Sequence, residues 1–431
     1  MNNCVLLNRK NLLYSCLPAI LCWAKRAKTV IMGKNSGKTV IKIMSGYRTI
    51  HSKIEEEQDR LIKMSRDIHS HPEVGGEEFF ASDLITTYLE EKGFKVWRGV
   101  GGLKTAFMAT YGEEGYHVGF CSEYDALPEI GHGCGHNLIA IAAVAAGLAL
   151  AAALEGRPGR VSVIGTPDEE DHGGKVDLVR TGVFDDIDAA MMFHPSCSTR
   201  INVTSLACCD YRFIFHGKNA HAAIEPWEGR NALDAVIQTF NGINALRQYL
   251  KDDVRVHGII TEGGLATNVI PDRAVAEFLV RARDSVGLEE AVEKVIACAR
   301  GAATTTGTTL EIEQSNYPYE AMCSNSILAD VFAESLPQAG YNFQSAQAGE
   351  VGSIDMGNVS LVTPSIYPLL ALTDQWVPRH TPEFTAICNT ERAYEVMLAA
   401  GRAMAITGLK VIDSPVLQEK IKEEFSNLKQ N

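Results

Sequence analysis

The chain has 431 residues, of which 46% are hydrophobic and 22% charged, and it carries a formal net charge of −13. That length supports two or three domains with a sizeable core, and the composition argues against both a disordered chain and a membrane-spanning class. Residues 1–54 hold ten Lys or Arg and no acid, so all 53 acidic residues lie beyond them; so acidic a body is a poor partner for nucleic acid.

In chain order, residues 1–54 come first, basic and with the apolar stretch "NLLYSCLPAILCWA". They read as a targeting or dispensable segment: a mitochondrial transit peptide, a signal peptide, or an extended reading frame with Met32 or Met44 as a later start. Eleven cysteines at irregular spacings, in a chain large enough to need no staples, point to a reducing compartment. The expectation is cytoplasmic, or mitochondrial if the basic segment is a transit peptide. From Glu55 the pattern turns helical through "EEEQDRLIKMSRDIHSHPEV", and "EEFFASDLITTYLEEKGF" is an amphipathic helix stopped by Gly93. The strand "YHVGFC", the charge-free run Leu138 to Leu154, the strand "RVSVIGTP", a polar loop with a short helix, and the strand "DAAMMFHP" follow. The Ala- and Gly-rich run reads as a buried core helix rather than a membrane span. Alternating strands and helices predict an α/β domain with a mainly parallel sheet over 55–203, resuming over 315–431.

Between these parts, residues 204–314 run β-α-β-β-α-β, from "CCDYRFIFHGK" to "TLEIEQS", the order of a split βαβ (ferredoxin-like) α+β unit. It is expected to be a second domain inserted into the first.

In an open parallel sheet, binding sites form where loops leave the carboxyl ends of the strands. After "HVGFC" come Glu123, Asp125 and, in "GHGCGHN", Cys134 and His136; after "VSVIGTP" come Asp168, Glu169 and Glu170; His194 follows "AAMMF", and His380 lies beyond the strand-like "VSLVTPSIYP". Thiolate and imidazole suit zinc and its neighbours, and with a carboxylate there are donors enough for two adjacent ions. Such a pair hydrolyses amides by activating water and polarising the carbonyl. Of two adjacent glutamates in a loop, one can ligate while the other takes the proton. Each element alone has a plainer reading: Cys134 as a small buried hydrophobe, "EE" as a solvated face, or "HGCGH" as a structural zinc site. Their shared position at sheet exits favours catalysis.

The motifs "RDIHSHPEVGGEE", "EYDALP", "GHGCGHN", "GTPDEED", "FHP", "GKNAHAAIEPWEGRNALDA", "NVIP" and "RHTPEF" resemble, in this order, those of the co-catalytic zinc metallopeptidases and amidohydrolases, a family that includes carnosinase, aminoacylase and auxin-conjugate amidohydrolases. "EYDALP" with "GHGCGHN" and "PWEGRNALDA" is most similar to the branch of the Xaa-Arg (β-alanyl-lysine) dipeptidases and aminobenzoyl-glutamate hydrolase subunits. The resemblance implies metal ligands at Cys134, His136, Glu170, His194 and His380, with Glu169 as base and Asp125 orienting a ligand imidazole. It also implies that the inserted α+β unit is a lid and dimerisation domain, that His221 reaches the scissile carbonyl, often from a partner subunit, and that Asn268 and Arg283 contact the substrate carboxylate. Glu123 stands where some relatives have a ligating His, so its role is left open, as is that of His132. Asp168 and Asp171 flank the glutamate pair, either raising the pKa of Glu169 or facing solvent.

The reading is therefore a homodimeric hydrolase with two divalent ions, zinc first and manganese as the alternative. It would cleave a small dipeptide with a basic C-terminal residue, without a nucleic-acid or membrane partner. An amidohydrolase of N-acyl amino acids or aminobenzoyl-glutamate is the first alternative, and a non-catalytic subunit of the same fold the second.

Overall fold

The computed structural model describes residues 36–343 and 349–428. Most of the proposed targeting segment, residues 1–35, lies outside the described residues. Helix α1 (Ser36–Ser70) begins well before the expected start at Glu55, and α2 (Phe79–Glu91) ends where expected, before Gly93.

The main sheet uses β1 (Lys95–Arg98), β2 (Phe107–Tyr111), β3 (His117–Ser122), β4 (Arg160–Gly165), β5 (Ala189–Met191) and β13 (Ser365–Ile366), in the spatial order β1-β2-β4-β3-β5-β13. The four strands from β4 to β13 are parallel. β1 and β2 add an antiparallel edge that alternation did not reveal, because "KVWR" is largely exposed. β3 is buried at every position, as a strand covered on both faces must be.

Helix α3 (His136–Leu154) is the charge-free run, and it is almost wholly buried. It is long and apolar enough to cross a membrane, but here it packs on β3 and β4 and against α10 (Glu391–Ile412). Small residues let these helices close up: a Cβ at Gly401 would lie 2.8 Å from the Ala145 Cβ and 3.1 Å from the Ala142 carbonyl oxygen. After α10 the chain adds α11 (Pro415–Leu428), a helix beyond the expected last one.

Two expectations need correction. "DAAMMFHP" is two short strands, β5 and β6 (His194–Ser196), of which β6 pairs in parallel with β14 (Leu369–Ala371) outside the main sheet. "VSLVTPSIYP" is only partly strand: its first residues end helix α8 (Met356–Val362), and only β13 remains extended. A short apolar run does not distinguish a buried helix from a strand.

Residues 207–314 form a second sheet from β8 (Ala207–His216), β9 (Arg255–Glu262), β10 (Arg273–Ala282) and β11 (Thr309–Gln314), in the order β11-β8-β10-β9 and antiparallel throughout. Helices α5 (Ala232–Leu246) and α6 (Ser285–Thr306) pack on it. Asn231 and Asp284 cap them through their side chains. This unit has its own core, with Phe213, Phe215, Phe278, Val236 and Val295 at its centre.

One half-buried cation in α10 yields a stability prediction. Lys410 Nζ donates to Ser335 Oγ at 3.1 Å, but its nearest carboxylate, Glu334, is 3.9 Å away and mostly exposed. Burial pulls its ammonium down to about 8, so the folded chain binds this proton more weakly than the unfolded chain does. Charged Lys410 therefore costs stability below pH 8, and the cost fades as pH rises towards 10.5. Lys410→Met is expected to stabilise the fold at pH 7 by ~1–3 kcal/mol, with the gain shrinking by pH 10. Urea titrations at both pH values check this, and an equal gain at each would contradict it.

Candidate metal and catalytic site

The turn that carries Cys134 and His136 is built on tight backbone. Gly135 adopts φ 84° just before α3, and a Cβ there would meet Pro195 at 2.5 Å. Glycine thus lets Cys134 and His136 turn their donor atoms to within 4.8 Å of each other. His132 does not join them: its Nε2 lies 3.1 Å from the Ile68 carbonyl oxygen and burial pulls its pKa down to about 3, so it is a neutral packing residue.

Five of the expected residues converge. Donor atoms of Cys134, His136 and His194 lie within 4.8 Å of one another, as do those of Cys134, Glu170 and His380. Cys134 Sγ is 3.4 Å from His194 Nε2, and His380 Nε2 is 3.4 Å from Glu170 Oε1. His194 Nδ1 lies 2.7 Å from the Pro195 carbonyl oxygen, an acceptor, so Nδ1 carries the proton and Nε2 faces Cys134 with its lone pair. His380 sits at φ 61°, a left-handed backbone unusual for a non-glycine residue, with its N–H donating to the Gly133 carbonyl at 2.9 Å.

Asp125 organises this cluster. Its Oδ1 and its carbonyl oxygen are each 2.9 Å from His136 Nδ1, and its Oδ2 accepts the Glu170 N–H at 2.9 Å. Burial pushes the Asp125 carboxyl up, but the His136 imidazole and the Glu170 N–H outweigh this and leave it below the ordinary range. His136 is opposed by burial yet held well above its normal range by Glu123 and Asp125. The surroundings demand positive charge at that ring.

Glu169 is buried beside this group, with Oε2 4.0 Å from His136 Nε2. The Tyr319 hydroxyl donates to its carbonyl oxygen at 2.7 Å. Burial, followed by the charges of Glu123, Glu170 and Asp355, holds its carboxyl well above the usual carboxylate range. Of the two flanking acids, Asp171 is exposed, and Asp168 turns to the His172 N–H at φ 63°. The strongest repulsion on Glu169 thus comes from Glu123, distant in sequence, followed by its neighbour Glu170. Sequence reasoning missed Lys175 and Asp355. Lys175 looks like any surface lysine after "GG", and Asp355 sits in a turn without periodicity, yet both are wholly buried at the edge of the site.

The donor set fits divalent cations. His136 Nε2 and Glu170 Oε1 are buried polar atoms without a hydrogen-bond partner, and such atoms are costly unless something positive meets them. The Cys134 thiol is pushed up to about 12 by burial and then by Glu170, so it supplies a thiolate only where a cation displaces its proton. A further group, Asp168, Asp171 and His172, is mostly exposed.

The three residues expected in the inserted unit lie elsewhere. His221 pairs with Val269 across an isolated bridge, and the Ala222 N–H donates to the Asn268 carbonyl at 3.0 Å, so His221 and Asn268 are neighbours on exposed turns. Arg283 lies beyond the other end of β10, ten residues long, or ~30 Å of strand. It is exposed, 3.7 Å from Asp253. Among the described residues, no hydrogen bond or ion pair links these three to the Cys134 cluster.

Residues 208–305 match the family model described as the peptidase dimerisation domain. The Xaa-Arg dipeptidase of Mus musculus is 38% identical over 395 residues, covering 88% of this chain and 91% of that protein. A p-aminobenzoyl-glutamate hydrolase component of Escherichia coli is 31% identical over 454 residues, covering 86% of this chain and 93% of its own. A Bacillus subtilis protein described as a dinuclear metal-binding peptidase from the M20 family shares the fold, with a TM-score of 0.62 and 22% identity over 83% of this chain and 99% of its own. With its converging donors on that fold, and relatives matched across nearly their whole length, the chain belongs to the M20 peptidase family.

Proposed function

We propose that this chain is a metal-dependent hydrolase that cleaves the amide bond of small dipeptides with a basic C-terminal residue. One observation carries the reading: Cys134 is common to two donor groups, one with His136 and His194 and one with Glu170 and His380, and Glu169 lies beside them. These five residues would hold two divalent ions, zinc or manganese, with Cys134 shared. When bound, such ions polarise a carbonyl and lower the pKa of water.

Every other role falls to the chain itself. Asp125 fixes the His136 tautomer, leaving Nε2 directed at the cluster. Glu169 takes the proton from the attacking water as its oxygen bonds to the amide carbon, then hands it to the departing amine as the C–N bond breaks. His221 would donate to the carbonyl oxygen, and Asn268 and Arg283 would bind the substrate carboxylate. Within one chain, His221 and Arg283 stand at opposite ends of β10. Supply of His221 and Asn268 by a second copy resolves that separation, and the exposed Ile224, Trp227 and Leu265 nearby offer apolar area for such a contact. A homodimer in the cytoplasm or mitochondrion, acting without nucleic acid or membrane, completes the proposal. The name of the mouse relative supports the dipeptide class.

The test is a panel of Xaa-Arg and Xaa-Lys dipeptides, aminobenzoyl-glutamate and N-acyl amino acids, given to protein reconstituted with zinc or manganese. Release of arginine or lysine is expected to lead the panel. Preference for aminobenzoyl-glutamate would move the substrate class, and no turnover at full metal loading would favour a non-catalytic subunit.

A further inference from the structure

The proposed mechanism leaves three wholly buried charged side chains without a role. Lys175, in the first turn of helix α4 (Gly174–Arg180), has no solvent exposure, and neither do Glu123 and Asp355. The Lys175 ammonium donates to Glu123 Oε2 and, at 2.8 Å, to Asp355 Oδ1; Asp355 Oδ2 accepts the Lys175 N–H at 3.0 Å. Asp355 is thus anchored to the backbone and side chain of one residue, and the ammonium has a fixed position.

Glu123 is the member that matters to the site. Its Oε2 is taken by Lys175, while its Oε1 lies 3.1 Å from His136 Nε2 without hydrogen-bond alignment. Donor atoms of Glu123, His136 and Glu169 also fall within 4.8 Å of one another. A carboxylate so placed is chemically able to act as a ligand itself, competing with Glu170 and crowding the catalytic base. A full positive charge on its other oxygen weakens it as a donor and fixes its orientation.

Resting on the functional reading above, we propose that Lys175 is a positioning residue that withholds Glu123 from the metal shell: its ammonium, clamped by Asp355, ties down one Glu123 oxygen and leaves His136 Nε2 to a cation. Glu123 is then a charge near the site, not a ligand. A plain structural role would need only that the three charges neutralise one another. The withholding role also needs the ammonium to govern what the ion sees.

Cobalt(II) substitution reads the ligand shell directly, because the intensity of its visible bands falls as coordination number rises. Glu123→Gln, in which Lys175 keeps Asp355 as partner, is expected to retain the wild-type cobalt stoichiometry and spectrum. Lys175→Met frees Glu123; its visible bands are expected to weaken and kcat to fall ~10–100-fold, the usual effect of losing an outer partner of a metal site, with KM little changed. Combining Glu123→Gln with Lys175→Met should return the wild-type spectrum. Breaking a buried ion pair is strongly destabilising, so Lys175→Met is checked by circular dichroism. If it does not fold, Lys175→Gln, whose amide keeps bulk and a donor but removes the charge, is read in its place with the same expected weakening of the bands. Loss of one cobalt equivalent in Glu123→Gln, or an unchanged spectrum in folded Lys175→Met, would overturn the inference. Failure of the wild-type protein to bind cobalt or hydrolyse any amide would instead overturn the functional reading.

Discussion

Glu169→Gln is expected to lower kcat by ~10²–10⁴-fold, the range for removing a general base, while KM and bound metal stay near wild type. The substitution keeps shape and hydrogen-bonding capacity but removes the ability to accept a proton. Two features of the site make the change selective. Among the described residues, the Glu169 carboxylate makes no hydrogen bond, and its closest ionic neighbour is His136 at 4.0 Å, so no structural contact is lost. Its backbone is held independently by the Tyr319 hydroxyl, so the loop should not move. The raised proton affinity that burial and then Glu123, Glu170 and Asp355 impose is what a base requires, and divalent cations beside Glu170 would temper it. Steady-state kinetics with metal analysis by mass spectrometry check the prediction. A parallel loss of metal would make Glu169 a ligand, and undiminished turnover would remove it from the reaction.

The parts of this molecule that could be read from sequence are those with a period or a close spacing. α3 and β3 are legible as apolar runs, and the order of β8 to β11 with α5 and α6 follows from the succession of strand-like and helix-like segments. Cys134 and His136 are legible because two glycines flank the cysteine and leave a turn little other purpose. β1 is not, since an exposed edge strand needs no apolar alternation, and β2 is too short for its alternately buried Phe107 and Ala109 to declare a period. α8 escapes because Val359 to Val362 is too short to declare its period. Lys175 and Asp355 are 180 residues apart, and nothing local marks either as buried; their burial follows from charge neutralisation across the fold, which a linear pattern does not encode. The same limit applies to Glu169, where the largest charge acting on the carboxyl is that of Glu123, 46 residues away, ahead of the adjacent Glu170.

Cys134→Ala is expected to reduce bound metal from two equivalents per chain to one or none, and to lower kcat/KM by more than the ~10–100-fold typical of losing an outer partner. The reason is topological: Cys134 is the one side chain common to the His136/His194 group and the Glu170/His380 group, so no remaining donor can serve both. The fold should survive, because losing one buried sulfur leaves only a small cavity, costing ~1–2 kcal/mol. The retained thiol would also make metal uptake sensitive to pH. Burial and the nearby Glu170 keep its proton on at neutral pH, so metal binding must release it, and affinity should fall as the solution is acidified. Alanine has no such proton, so the residual affinity of the variant should vary less with pH than that of the wild type. Cys134→Ser separates shape from softness: its hydroxyl restores bulk but is a poorer partner for zinc than a thiolate, and a result between alanine and wild type is expected. Metal counts after dialysis, chelator competition at two pH values and dipeptide turnover measure all three variants on one scale. Full metal loading in Cys134→Ala would mean that the two donor groups do not share a centre.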